Sequence, residues 1–215
     1  MAIKFFIKSK NGNALIDDTY RTLSLTSVRT VAQSNNIEIK RNSFSVLALS
    51  CQTEGVMMLG ASYANGFSWK SLDHYTTKGE LKIYEFGDVE VLRDPIGINI
   101  RNSLGILVFS SKLKPLRVVH HQSGVIKDIW QDEILYEANL DSSRKYAVVL
   151  GNLPFSLSVS RDIVYARALT VTTQDNGYTK VQFKQFSYEA ETGAVRGSIA
   201  VSGFYSFQII DITTY

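Results

Sequence analysis

The sequence predicts an all-β protein: two antiparallel β-sandwich-like domains, each opened by a repeated strand-turn-strand unit, with little helix. Three observations point there. Tyr and Phe number eleven each against only three Pro, and aromatic and β-branched residues fit pleated, half-buried surfaces. Apolar residues recur at every second position in short runs, the period of a strand with one face in the core. The opening of the chain also returns further along.

That return is ungapped. Ile3 to Leu25 (IKFFIKSKNGNALIDDTYRTLSL) lies over Ile96 to Val118 (IGINIRNSLGILVFSSKLKPLRV) at an offset of 93, the distance from Gly12 to Gly105. Four of the 23 aligned residues are identical, and the pattern extends further than the identities. Phe5 matches Ile98, Ile7 matches Ile100, Leu15 matches Val108 and Ile16 matches Phe109. Lys8 matches Arg101, and the small polar pair Asp17-Asp18 matches Ser110-Ser111, a position that wants a short turn-forming side chain more than a charge. A duplicated supersecondary unit is a packing device. Arg93-Asp94-Pro95 precedes the second copy, and Pro ends regular structure before it. The chain therefore divides into an N-terminal domain, 1–93, and a C-terminal domain, 94–215.

Taken in order, Ile3-Phe5-Ile7, Leu23-Leu25 and Ile37-Ile39 mark the first strands, and Ser45 to Cys51 reads as a buried one. Leu81-Ile83, Val89-Val91 and Ile96-Ile98-Ile100 follow. Turn dipeptides stand at Asn11-Gly12, Asn65-Gly66, Gly87-Asp88, Ser123-Gly124, Asn176-Gly177 and Thr192-Gly193. The sole helix expected is a short one over Asp128 to Ala138, where Ile129, Trp130, Glu133, Ile134 and Ala138 define a face, although Ile126, Ile134 and Tyr136 fit a strand about as well. The clearest hairpin joins Ile163–Thr173 to Tyr178–Phe186 through Asn176-Gly177, a pair that favours the positive φ of tight hairpin turns. Ser198–Val201 and Phe204–Thr213 follow with a bend at Gly203, giving an expected four-stranded meander.

Composition limits the function. Net charge is +3 without any run of Lys or Arg, so the basic stripe of a nucleic-acid binder is missing. The single Cys51 forms no intramolecular disulfide and reads as a core thiol made in a reducing cytosol. No apolar stretch approaches a membrane span.

Chemistry-bearing clusters are sparse. His120 and His121 are adjacent, so on a strand they point to opposite faces, and no Asp or Glu stands at ligand spacing. No metal or other cofactor is expected. Asp128, Asp132 and Glu133 are the acids a hydrolase reading would use, but no nucleophile elbow, phosphate loop or zinc spacing accompanies them. The expectation is a non-enzyme. Tyr63, Phe67, Trp69 and Tyr75 surround Asn65-Gly66 and are the candidate partner- or glycan-contact residues, because aromatic rings with polar tips suit such surfaces; the competing and stronger reading is that the alternating Phe67 and Trp69 face the core.

Ser103-Leu-Gly-Ile-Leu-Val-Phe-Ser-Ser-Lys-Leu-Lys-Pro-Leu-Arg-Val-Val119, with the opening Ser9 to Arg21, resembles small structural proteins associated with the tail tip or tail fibre of tailed bacteriophages. In that pattern a strand passes through a Ser/Asn-Gly turn into Val/Ile-Phe-Asp/Asn-Ser and on to Pro-Leu-Arg-Val-Val. Ser110 stands where Asp or Asn is common, so no ion-binding role is carried over. The resemblance implies a β-sandwich virion protein of the tail, synthesised in the bacterial cytoplasm and oligomeric in the particle. Its partners would be tail or fibre subunits, with no nucleic acid and no membrane insertion. The alternatives are a carbohydrate- or receptor-binding module and a capsid decoration protein.

Overall fold

The structure is a computed structural model that describes residues 6–8, 14–17, 23–31, 39–40, 45–62, 66–71, 80–87, 97–102, 104–105, 107–160, 163–189 and 197–215. Among them there is no helix, and every strand pair is antiparallel. Strands are numbered in chain order. One six-stranded sheet runs β11 (Val118–Val125), β18 (Phe204–Asp211), β13 (Tyr146–Leu150), β5 (Val46–Cys51), β8 (Leu81–Gly87), β3 (Ser24–Val31). The other runs β12 (Glu133–Asn139), β16 (Tyr178–Glu189), β15 (Ile163–Thr173), β6 (Gly55–Ser62), β7 (Gly66–Ser71), β4 (Ile39–Lys40). It also carries β14 (Phe155–Ser160), paired to β15 and to β17 (Gly197–Ser202). Two hairpins lie outside these sheets: β1 (Phe6–Lys8) with β2 (Ala14–Asp17), and β9 (Asn99–Arg101) with β10 (Leu107–Ser110).

The sequence repeat is a structural repeat. Phe6↔Asp17, Ile7↔Ile16 and Lys8↔Ala14 become Asn99↔Ser110, Ile100↔Phe109 and Arg101↔Leu107 when shifted by the offset of 93, and those are the pairs formed. Both hairpins bulge at the same place, with Leu15 and Val108 as the extra residues. The next strands keep the correspondence. β3 bulges between Leu25 and Ser27, and β11 between Val118 and His120, again at matching positions. A bulge is a specific backbone feature, so its coincidence in both copies is stronger than chance apolar matching.

Those equivalent strands occupy opposite edges of one sheet, which imposes a pseudo-two-fold axis. Leu25 pairs with Phe86, which pairs with Val46; equivalently, Val118 pairs with Ile210, which pairs with Ala147. Two residues further along, Ala48 and Val149 are equivalents, and they pair with each other at the centre of the sheet. Above that point Leu116 donates its amide to the carbonyl of its own equivalent, Leu23, at 2.9 Å. The axis passes through both pairs.

The structure departs from the expected pair of domains in how the halves meet. Residues 1–93 and 94–215 each give three strands to the six-stranded sheet, and β6 pairs with β15 to join them in the other. The halves thus share both sheets. The physical reason lies in β5 and β13, which are buried along nearly their whole length and need a partner at each edge and cover on each face.

Alternation along these strands sorts the core. Leu47, Leu49, Ile83, Val148, Leu150, Phe207 and Ile209 face Leu169, Val171, Val181 and Phe183 between the sheets, with Cys51 buried beside them. Ala48, Phe86, Ala147, Val149 and Ile210 form a second cluster on the opposite face, against Leu23, Leu116 and Tyr215. Truncating any fully buried Phe to Ala would cost about 3–5 kcal/mol.

Three local expectations are corrected. Asp128 to Ala138 is a turn and a strand, not a helix: Asp128 Oδ1 accepts the Trp130 amide at 2.9 Å, Glu133 Oε2 accepts the Lys127 amide at 3.0 Å, and β12 then pairs with β16. Asp and Glu side chains that bind nearby amides compete with helix formation. Ser123-Gly124 lies inside β11 rather than at a turn; a Cβ on Gly124 would sit 2.8 Å from the Tyr205 hydroxyl, so glycine serves a close approach. The four closing strands are no meander, because β17 pairs with β14 while β18 crosses to the six-stranded sheet, where Phe207, Ile209 and Ile210 are buried on two faces. The Asn176-Gly177 hairpin is as expected, with Gly177 at φ 85°. The expected strand at Val89-Val91 and the turns at Asn11-Gly12 and Thr192-Gly193 lie outside the described residues.

Candidate functional site

The sandwich margin formed by β11 and β12 brings together exposed apolar residues and strand edge that, among the described residues, no further strand pairs with. β11 ends one sheet and β12 the other. Their inner side is closed by a ring cluster. His120 lies 4.6 Å from the Tyr136 ring and 6.3 Å from Phe207, and Tyr205 stacks on Phe207 at 6.2 Å. Gln122 Nε2 donates to the Leu135 carbonyl at 2.9 Å and to the Tyr205 hydroxyl at 3.2 Å, tying β11 to β12 and β18. Burial, with a smaller contribution from Tyr146, raises the Tyr136 hydroxyl above its ordinary value. This cluster fixes the margin in place.

The outer side offers different chemistry. Val119 (46% exposed) and Val125 (58%) project from β11, and Phe204 (63%), the register partner of Val125, stands beside it. Trp130 and Ile134 add exposed apolar surface on the turn and strand that follow. The eight residues of β11, Val-Val-His-His-Gln-Ser-Gly-Val, contain no Lys, Arg, Asp or Glu and no proline. Proteins ordinarily protect long edges with such residues. The neighbouring margins follow that rule: β12 carries Glu133 and Glu137, and β3 carries Arg29, whose Nη2 donates to Glu85 Oε2 at 2.8 Å. An uncharged edge with exposed valines can accept an added strand, main-chain hydrogen bonds supplying affinity and side-chain contacts specificity.

The acids of the hydrolase reading serve local structure. Asp128 and Glu133 bind the amides of Trp130 and Lys127, and Asp132 Oδ1 accepts the Gln185 amide at 2.8 Å while standing 3.4 Å from Arg167 Nε. Asp132 and Glu133 do share a shallow surface hollow with Glu54. The Glu54 carboxylate is occupied by Thr170, Gln182 and Lys184. The two histidines diverge as adjacent strand residues do, His120 turned inward and His121 exposed.

Of the aromatic contact candidates, Phe67 and Trp69 lie on β7, the backbone of Trp69 pairing with Ile39 and Leu59 and that of Phe67 with Ala61. Tyr63 and Tyr75 lie outside the described residues. Sequence reasoning missed Val119, Val125, Phe204 and Ile134. The absence of charge across β11 was visible, but its position at an edge was not. No family model, curated protein or solved structure matches this chain.

Proposed function

We propose that this protein is a non-enzymatic structural component of a bacteriophage virion, placed at the tail tip or the tail-fibre attachment, and that it works by protein–protein contact along β11. The observation that carries the reading is the uncharged eight-residue edge with Val119, Val125 and Phe204 exposed beside it. Exposed apolar surface grouped in this way is typical of interaction sites.

Pro115, Leu116 and Arg117, part of the stretch behind the family resemblance, support the same reading through their constructive roles. Leu116 bonds its equivalent Leu23 on the axis, the Pro115 carbonyl accepts the Tyr215 hydroxyl, and the Arg117 carbonyl accepts the Asp211 amide before Val118 starts β11. The Pro-Leu-Arg-Val-Val run thus anchors the contact strand to the core. A rigid two-layer frame with a β11 edge free of Lys, Arg, Asp and Glu suits a building block that must present an invariant surface to a neighbouring subunit.

The test is incorporation into particles. Val119→Lys combined with Val125→Lys places charges on an edge already exposed, so thermal stability should hold within a few degrees. Particles made with the variant gene should lack the protein or fail to assemble tails, as read by mass spectrometry and electron microscopy of purified virions. Normal incorporation of the variant, or absence of the wild-type protein from purified particles, defeats the proposal.

A further inference from the structure

At one end of the sandwich a polar cleft of about 310 Å³ opens between the end of β5, the start of β8, the start of β13 and the β15–β16 turn. Its volume lies within the range of small-molecule sites, about 300–1,000 Å³. Its lining differs from the usual apolar pocket. The Asp175 carboxylate is central: Oδ2 accepts Gln52 Nε2 at 2.8 Å, and Oδ1 lies 3.6 Å from Lys145 Nζ. Thr173 Oγ1 donates to Ser50 Oγ at 2.9 Å and accepts the Cys51 amide at 3.1 Å, giving the lining a fixed hydroxyl pair. Tyr84 and Tyr146 line the cleft from largely buried positions. Burial first, and then the Asp175 charge, raise the Tyr84 hydroxyl above its ordinary value, so it remains a donor across the physiological range.

The pseudo-two-fold axis supplies an independent comparison. Because Ile83 corresponds to Phe207 and Leu49 to Leu150, the Ser50·Lys82 pair in the cleft corresponds to Gly151 and Ser206 at the opposite end. There the two positions pack directly against each other. Ser206 Oγ accepts the Asn152 amide at 2.8 Å, the Gly151 amide donates to the Ser206 carbonyl at 2.9 Å, and a Cβ on Gly151 would stand only 2.3 Å from Ser206 Oγ. The fold closes this end with small residues. At the other end the same positions carry a longer lysine and a hydroxyl, and both border the cleft.

We propose that this cleft binds a neutral, polyhydroxylated saccharide. Two carboxylates, Glu80 and Asp175, and two ammonium groups, Lys82 and Lys145, leave the lining without net charge, so an ionic ligand gains little. Each sugar hydroxyl both donates and accepts, and carboxylate, amide, ammonium and hydroxyl groups set around one cavity can satisfy such groups in pairs. This site is separate from β11, and its fate does not depend on the virion reading.

The experiment is saturation-transfer NMR followed by calorimetry on the full chain, with the methyl glycosides of glucose, galactose, mannose and N-acetylglucosamine and the disaccharides maltose and lactose as probes. At least one should give a saturable signal. Asp175→Ala and, separately, Lys145→Met should each lower its affinity about tenfold or more, the effect of losing one charge-assisted hydrogen bond. Both residues are exposed, so their melting temperatures should match wild type. If either variant is poorly folded, the other carries the test. Failure of every probe, or binding unchanged in both variants, overturns the proposal.

Discussion

Two glycines with similar backbone angles provide a controlled test of how the β15–β16 hairpin is held. Gly105 has φ 77° and Gly177 has φ 85°, both in the left-handed region where a side chain is strained. Their surroundings differ. A Cβ on Gly105 would meet nothing within 4 Å, whereas on Gly177 it would stand 2.7 Å from the Leu140 carbonyl oxygen and 3.0 Å from that of Asp141. Gly105→Ala therefore carries only the left-handed strain, roughly 1–2 kcal/mol, offset by about 0.4–1 kcal/mol from the less flexible unfolded chain. Its net cost should be about 1 kcal/mol or less.

Gly177→Ala adds two further costs. The backbone at 140–141 must retreat, an overpacking cost of about 1–3 kcal/mol. Retreat also stretches the Leu140 amide bond to the Gly177 carbonyl, now 3.0 Å, which is worth about 1 kcal/mol. The sum is about 3 kcal/mol. At roughly 2–4 °C per kcal/mol for a chain of this size, Gly177→Ala should lower the melting temperature by about 6–12 °C and Gly105→Ala by at most about 4 °C. Circular dichroism melts at one pH and concentration decide it. Equal losses, or a larger loss from Gly105→Ala, would refute the close backbone approach at Gly177.

Two titrations follow from other side chains. Burial disfavours the Glu85 anion, but hydrogen bonds from Arg29, Ser45 and Ser27 outweigh it and hold the carboxyl below its ordinary value. A depressed native pKa contributes stability that is present above the unfolded value of about 4.3 and lost as pH falls through the native one. Glu85→Gln should therefore cost about 1–2 kcal/mol at neutral pH, and the difference from wild type in urea unfolding should fade in acid; a difference that persists unchanged at low pH would count against the ion pair. The Tyr178 hydroxyl donates to Glu137 Oε1 at 2.5 Å, and that bond pushes its pKa up to about 12. In NMR titration of ring-labelled tyrosine, Glu137→Gln should bring this resonance back toward about 10; no movement would show that the bond does not form in solution.

Local chemistry was legible in the sequence, and long-range geometry was not. Asn176-Gly177 announced its hairpin because the turn needs positive φ. The repeat announced two matching hairpins because bulge, turn and alternation lie within a few residues of one another. The stretch after Asp128 was misread, since Ile129, Trp130 and Ile134 fit a helical face by spacing while the carboxylates of Asp128 and Glu133 fold the chain into a turn. Nothing local could show that Ala48 meets Val149, or that residues as distant as Ser50, Asp175 and Ile212 line one cleft. The contact surface suffered similarly: β11 showed its lack of charge, but only the sheet order makes it an edge.

The axis separates what the two halves share from what each does. At the shared positions, Leu23 and Leu116 and then Ala48 and Val149, both halves supply apolar residues, because a common core leaves little freedom. Equivalents also differ inside the core, as Ile83 and Phe207 do, but two differences lie at the surface. On the β3 edge Arg29 bonds Glu85 and places a charge; its equivalent on β11 is Gln122, which turns inward to Leu135 and Tyr205 and leaves that edge uncharged. At the sheet ends, Ser50 and Lys82 border a cleft where Gly151 and Ser206 close together. A duplicated frame needs no such differences to fold, since each solution already works in the other half. At β11 and at the Asp175 cleft the two halves differ in what they offer another molecule, and no catalytic motif is needed to see it.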